Sequence, residues 1–257
     1  MTDVLVQYLE AVRATIDAIE ATQLETIRAA AARFARTILA GRLVHVFGTG
    51  HSRMAVEEMF PRYGSFPGFH PIVELSMTFH NPVVGANGQR QAMFLENVQG
   101  FGPVLWRNFA TAPDDSLLAI STSGCNAVTI DVALEARRLG MFVVALTSLA
   151  HAEVSASKHE SGLKLAEASD LVLDQRAPAG DSAVWVEGLE TPVAPVSSVS
   201  GCVVVNLLKA EVARLLTEAG QPPRVLTAAC HLGAEPARDL FEATYDDYRR
   251  RVGVLYR

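Results

Sequence analysis

Cysteine is scarce in this 257-residue chain: Cys125, Cys202 and Cys230 are odd in number and widely spaced. That excludes a disulfide framework, and the three read as free thiols of a reducing cytoplasm, where the protein is expected. Long apolar runs are missing as well. None approaches the roughly 20 residues a bilayer-spanning helix requires, so no membrane partner is expected. Asp3 and Glu10 interrupt the apolar N-terminal stretch, which is not the pattern of a secretory leader. Positive charge is in deficit, with 22 Lys and Arg against 28 Asp and Glu, a net charge of −6. The deficit argues against nonspecific nucleic-acid binding. It leaves anionic small molecules open, because local backbone donors can hold those. The Gly-Lys-Ser/Thr of a P-loop is absent. Arg53 stands where the third glycine of a dinucleotide fingerprint would follow Gly48 and Gly50. There is no internal repeat at solenoid spacing and no low-complexity tract.

Hydrophobic residues are plentiful, at 49%, and suffice for the core of one large domain. Residues 1–257 are expected to form that domain, with a helical extension at 1–40, a core at 41–220 and a helical tail at 221–257. Leu5, Tyr8, Leu9, Val12, Ile16 and Ile19 recur at helical spacing. Leu24, Ile27, Phe34 and Ile38 continue the stripe after an expected break near Thr22, and Gly41 is a plausible stop. Strands are expected at Val44–Phe47, Pro71–Leu75, Leu117–Ser121, Phe142–Thr147 and Leu171–Leu173. Most lack apolar–polar alternation, as strands buried on both faces do. Helices are expected near 53–63, 96–110 and 127–139. The alternation implies a doubly wound, flavodoxin-like α/β sheet of five mostly parallel strands with helices on both faces. Residues 76–91 and 175–198 read as irregular loops able to form a pocket. A strongly apolar helix is expected at 199–219, ended by Pro222-Pro223, and a charged helix at 236–250. That apolar helix and the N-terminal stripe offer more hydrophobic face than one sheet needs, so a homodimer or homotetramer is expected.

Two loops carry the chemistry. Leu43-Val44-His45-Val46-Phe47 breaks into Gly48-Thr49-Gly50-His51-Ser52, and Leu117-Leu118-Ala119-Ile120 breaks into Ser121-Thr122-Ser123-Gly124-Cys125-Asn126. Each is a strand, a tight turn and a helix N-terminus, an arrangement that offers N–H groups and a positive dipole end to an anion. Any one serine is accounted for by helix capping. Two such loops together point to a phosphorylated ligand held between them, with Ser52, Ser121 and Ser123 as contacts and Asn126 as a side-chain donor. Gly48, Gly50 and Gly124 would let the backbone approach it. His45, inside a strand, reads as a core histidine. His51 lies in the first loop, while His70 and His80 lie in or near the irregular segment. His151 and His159 lack the ligand spacing that would specify zinc, so no metal is expected.

Phe-Gly-Thr-Gly-His-Ser, then Ser-Thr-Ser-Gly-Cys-Asn, then Val-Ala-Leu-Thr-Ser at 144–148 resemble the SIS (sugar isomerase) family over roughly residues 35–220. The family contains phosphosugar isomerases, phosphosugar-binding regulators and N-acetylmuramic acid 6-phosphate etherases. The resemblance implies a phosphate grip at Ser121, Thr122, Ser123 and Gly124, with Thr49, Thr147 and Ser148 near the sugar phosphate. Where this chain has Asn126, the family usually has threonine or serine. Glu58-Met59-Phe60-Pro61-Arg62-Tyr63-Gly64 is similar to the etherases' Glu-x-x-Pro-x-x-Gly stretch, reached here about one helical turn sooner after the serine. By that resemblance Glu58, and Glu190 before the apolar helix, are the candidate acid–base carboxylates. His51, and His231 from a late segment that often reaches a neighbouring subunit, are candidates for ring opening. The implied reaction is aldose–ketose isomerisation of a sugar phosphate, amino sugar phosphates included, without a cofactor. It needs a base moving a proton between C1 and C2 and donors for the enediolate. Elimination from a sugar phosphate, as in the etherases, and a non-catalytic phosphosugar sensor are the alternatives.

Overall fold

In the computed structural model, residues 3–78 and 88–257 are described. The chain opens with α1 (Val4–Leu39) and then runs β1 (Val44–Gly48), α2 (Arg53–Met59), β2 (Phe69–Ile72), α3 (Leu75–Thr78), α4 (Gly88–Leu95), α5 (Phe101–Trp106) and β3 (Ser116–Ile120). It continues with α6 (Ala127–Arg138), β4 (Phe142–Thr147), α7 (Leu149–Glu153) and β5 (Leu171–Asp174). A ribbon of β6 (Ser182–Val184) and β7 (Val193–Pro195) leads to α8 (Ser197–Glu218), α9 (Ala229–Leu232) and α10 (Ala234–Val252).

Five strands form an all-parallel sheet in the order β2-β1-β3-β4-β5. Alternate residues of each central strand face opposite layers, as the two-residue period of a strand requires. Val44, Val46, Leu118, Ile120, Val144 and Leu146 join one core layer, packed under α1, α2 and α8. Phe47, Leu117, Ala119, Val143 and Ala145 join the other, beneath α5 and α6. The central strands are buried on both faces, which is why their sequences run apolar without alternation.

Several expected boundaries move. α1 is continuous through Thr22, whose hydroxyl donates to the Ala18 carbonyl, so there is no break there. Its C-terminal half packs on α8, whereas Leu5, Leu9 and Ile16 near its start stay exposed. β2 lies two residues earlier than expected, and Leu75 opens α3 instead. α2 stops at Met59 because the chain turns extended at Phe60, ahead of Pro61. The expected helix at 96–110 is divided: α4 ends at Leu95 and α5 starts after Gly100. The expected loop 175–198 contains the antiparallel β6–β7 ribbon. Much of the expected loop 76–91, His80 included, lies outside the described residues.

The strand order reverses direction between β1 and β3. In open parallel sheets the crevice outside the strand ends at that point receives ligands. Both serine-glycine loops open there, one from each strand.

Candidate functional site

The first loop leaves β1 at Gly48, takes one extended step at Thr49 and makes a single 3-10 turn over Gly50–Ser52 before α2. A Cβ on Gly48 would stand 3.1 Å from both the Ser52 carbonyl oxygen and Val56 Cγ2, so α2 docks directly on this glycine. The second loop leaves β3 and enters α6 at Ala127. Ser121 Oγ accepts from the Gly124 N–H at 3.1 Å, and Ser123 Oγ accepts from the Cys125 N–H at 3.3 Å. Gly124 has φ +63°, and a Cβ there would meet Thr147 Oγ1 at 2.9 Å. Only glycine fits both conditions without strain.

Between the loops lies a cavity of about 270 Å³. Thr49–Ser52 line it from one side, and Ser121, Thr122, Ser123 and Asn126 from the other. Gln89, Ala92, Met93 and Glu96 enter from α4 and its exit, and His151, Asp181 and Ser197 complete the wall. A larger hollow, about 490 Å³, separates α1 from the β6–β7 ribbon, but alanines make up much of its wall and no hydroxyl loop reaches it.

The site residues expected from sequence divide into three groups. Thr49, Gly50, His51, Ser52, Ser121, Thr122, Ser123 and Asn126 face the cavity together. Gly48, Gly124, Thr147 and Ser148 lie behind it as supports. Thr147 Oγ1 donates to the Thr122 carbonyl at 3.3 Å, and the Ser148 N–H donates to the same oxygen at 3.0 Å. Ser148 Oγ donates to the Ala177 carbonyl and accepts from the His151 N–H, tying the second loop to α7. The remaining three stand outside this cavity in the single chain. Glu190 is exposed in the β6–β7 connection, and His231 is exposed on α9.

Glu58 turns from the loops towards α8. Asn206 Nδ2 donates to its Oε1 at 3.1 Å, and Arg62 Nη1 to its Oε2 at 2.6 Å. The buried Lys209 donates to the Glu58 carbonyl at 2.7 Å and lies 3.4 Å from Oε1. Burial pushes the Glu58 carboxyl up, but Asn206, Arg62 and Lys209 outweigh it and hold the carboxyl below the ordinary value. Burial pushes the Lys209 ammonium down, partly offset by Glu58. The contacts are those of a clamp between α2 and α8.

Among the residues not expected from sequence, Glu96 and Asp181 of the wall, and Gln175 beside Thr122, carry polar contacts. Glu96 follows α4, and its Oε2 accepts from Asn126 Nδ2 at 2.8 Å, while Asn126 Oδ1 accepts from Lys158 Nζ at 3.3 Å. The amide expected to serve the ligand is therefore turned onto a carboxylate. The Glu96 carbonyl also accepts from the Val128 N–H, fixing this stretch to the start of α6. Asp181, at φ +67°, accepts from the N–H groups of Val196 and Ser197 and from Ser197 Oγ, capping α8 from a distance. Gln175 Nε2 donates to Thr122 Oγ1 at 3.0 Å. No local motif marks these residues, since their roles depend on segments 30 or more positions apart or on a loop's path.

The histidines separate as clearly. His159 is buried, with Nε2 3.0 Å from Asp131 and Nδ1 2.7 Å from Ser161 Oγ. His45 is a core residue, its Nδ1 2.9 Å from His70 Nδ1 and its Nε2 3.6 Å from Asp115. His70 is therefore committed inside the sheet, away from the cavity.

The architecture defines a doubly wound α/β domain with two hydroxyl-rich strand-to-helix turns meeting at the switch point. Residues 7–148 match the model of the SIS domain, more than half the chain, and the protein belongs to that family. It is similar to a UPF0309 protein of Listeria monocytogenes serotype 4b, 31% identical over 229 residues, 89% of each chain. It is also 30% identical to a UPF0309 protein of Geobacillus thermodenitrificans over 249 residues, 97% of this chain and 96% of the relative. Among solved structures the fold is similar to a phosphoheptose isomerase from Francisella tularensis. The TM-score is 0.54 at 17% identity, covering 82% of this chain and 96% of that one. A phosphoheptose isomerase from Neisseria gonorrhoeae gives a TM-score of 0.51 at 17% identity, with 83% and 97% covered.

Proposed function

We propose that the cavity binds a phosphorylated sugar and that the protein isomerises it between aldose and ketose forms. The observation that carries this reading is the convergence of the two loops. Ser52 lines the cavity from one loop and Ser121 and Ser123 from the other, and Glu96 stands in the same wall. The volume, just below the roughly 300–1,000 Å³ of drug-sized pockets, suits a compact polar metabolite. The phosphate is the handle, and its binding energy positions the reacting carbons.

The base is assigned to Glu96. Asp181 already serves three donors, whereas among the described residues Asn126 is the donor to the Glu96 carboxylate. Glu96 takes the proton from C2 of an aldose and returns it to C1, with an enediolate between. Glu58, Glu190 and His231 would reach a substrate only across a contact with a second copy. A homodimer or homotetramer is part of the proposal, supported by the exposed apolar residues of α1 and by Val199 at the start of α8.

A thermal-shift screen with sugar phosphates and their unphosphorylated forms, followed by incubation of hits in D2O with NMR detection, tests the reading. Stabilisation by phosphorylated sugars alone, with deuterium entering at C2, is the expected result. Glu96→Gln should slow the exchange by about 10²–10⁴-fold. Loss of exchange in Glu58→Gln, with Glu96→Gln active, would move the base to a neighbouring subunit. Release of a substituent would make the enzyme a lyase. Binding without exchange or product would make it a sensor, and no stabilisation by any phosphosugar would overturn the phosphate site itself.

A further inference from the structure

His151, in the short helix α7, lines the cavity. Its Nδ1 is sealed from solvent and, among the described residues, has no hydrogen-bond partner. The backbone around the ring is fixed, because the His151 N–H donates to Ser148 Oγ at 3.1 Å and the His151 carbonyl accepts from Ser155 Oγ at 2.9 Å. An orphaned buried N–H is rarer in folded proteins than an under-satisfied acceptor. In the neutral ring the proton therefore sits on Nε2, the nitrogen left to meet a bound molecule. His159 is held by Asp131 and Ser161, and His45 and His70 are spent on each other in the sheet. Among the described residues, His151 thus combines a place in the cavity wall with a sealed, unpartnered ring nitrogen.

We propose that His151 is the electrophilic residue of the isomerisation, its Nε2–H donating to the sugar oxygens on C1 and C2. The assignment rests on the isomerase reading given above. In the forward direction Glu96 removes the C2 proton, and that C–H electron pair becomes the C1–C2 double bond. The carbonyl π pair moves onto O1, where negative charge grows against Nε2–H. Nε2 gives its proton to O1 and receives the O2 proton in return, as O2 becomes the ketone oxygen and Glu96 delivers its proton to C1. The imidazole ends as it began, and no electrons enter or leave.

Donors aimed at developing charge act mainly on turnover, so removing one costs about 10²–10³ in rate. The experiment compares wild type, His151→Ala and His151→Gln. Sorbitol 6-phosphate, which has no carbonyl, probes the phosphate handle by calorimetry. Fructose 6-phosphate, glucosamine 6-phosphate and sedoheptulose 7-phosphate are followed for solvent exchange in D2O. His151→Ala is expected to bind sorbitol 6-phosphate within about threefold of wild type while exchange falls by about 10²–10³-fold. His151→Gln, which retains an N–H donor, should recover part of the rate. Wild-type exchange in His151→Ala would overturn the proposal and leave the isomerase reading standing. Absence of both binding and exchange in the wild type would remove the isomerase reading. Independently of turnover, 15N NMR of the histidines should show His151 protonated at Nε2 and shifted by sorbitol 6-phosphate. A proton on Nδ1, or a ring unmoved by the probe, would also overturn it.

Discussion

The two ends of the same sheet treat polar groups in opposite ways. At the amino end Asp115 is fully buried and saturated. It accepts from Arg42 Nε at 2.9 Å and Nη2 at 2.7 Å, and from the N–H groups of Leu43 at 3.2 Å and Ala112 at 2.8 Å. His45, His70, Trp106 and Phe109 pack beside it as a closed aromatic cluster. At the carboxyl end hydroxyl residues, two carboxylate residues and two histidines surround open space. A polar group whose partners all come from the chain contributes stability. One left with unspent donors is available to a ligand. The contrast separates groups saturated within the chain from groups that line an open cavity.

The sharpest way to break that comparison is at Asp115. Burial pushes its carboxyl up, but the His45 ring, the Arg42 fork and the Ala112 N–H outweigh it and keep the group ionised, well below the usual carboxylate range. Asp115→Ala leaves the Arg42 fork and the Leu43 and Ala112 N–H groups without their acceptor and should cost about 3–5 kcal/mol in denaturant unfolding. Phosphosugar affinity of the remaining folded protein should be unchanged. A fall in affinity that matched the loss of stability would show that the two ends are not independent.

Acid sharpens the same contrast. Burial and the neighbouring His45 lower the His70 pKa from 6.5 to about 3, with Asp115 opposing. The unfolded chain therefore binds this proton more readily than the folded one. Its contribution is fully present above about pH 6.5 and is lost as the pH falls towards 3, at about 1.4 kcal/mol per pH unit. Unfolding curves between pH 7 and 4 should show this slope in wild type and a shallower one in His70→Gln. Equal slopes would place the titrating group elsewhere.

The carboxyl end should give the reverse pattern. Ser123→Ala removes a hydroxyl from the cavity wall and should weaken phosphosugar binding by about 1.5–3 kcal/mol, with little change in melting temperature. Unchanged affinity would move the phosphate away from the second loop. The smallest effect is expected at Thr147→Val. It deletes the hydroxyl that donates to the Thr122 carbonyl, but the Ser148 N–H still donates to that oxygen. Stability should fall by about 1 kcal/mol, and binding should weaken by less than in Ser123→Ala.

The loops could be read from the chain because their signal is local. An apolar strand breaking into glycine and hydroxyl residues before a helix lies within ten positions, and Ser121-Thr122-Ser123-Gly124 places a positive-φ glycine where the turn demands one. Glu96 could not be read that way. It comes to the site because Asn126 and Val128, 30 or more positions later, bind its carboxylate and its carbonyl. Glu58 lies outside the cavity of the single chain for the converse reason: its neighbours in sequence mark a motif, while Asn206 and Lys209, about 150 positions on, hold its side chain.

Sequence alone thus determined the five parallel strands, the two hydroxyl loops at their ends and the long helices, because each follows from periodicity and turn chemistry within short spans. Only the tertiary structure decided that Glu96 and Asp181 line the cavity and that His151 joins His51 there. Side-chain direction at a site is set by partners brought together from distant segments, and no local pattern encodes those partners.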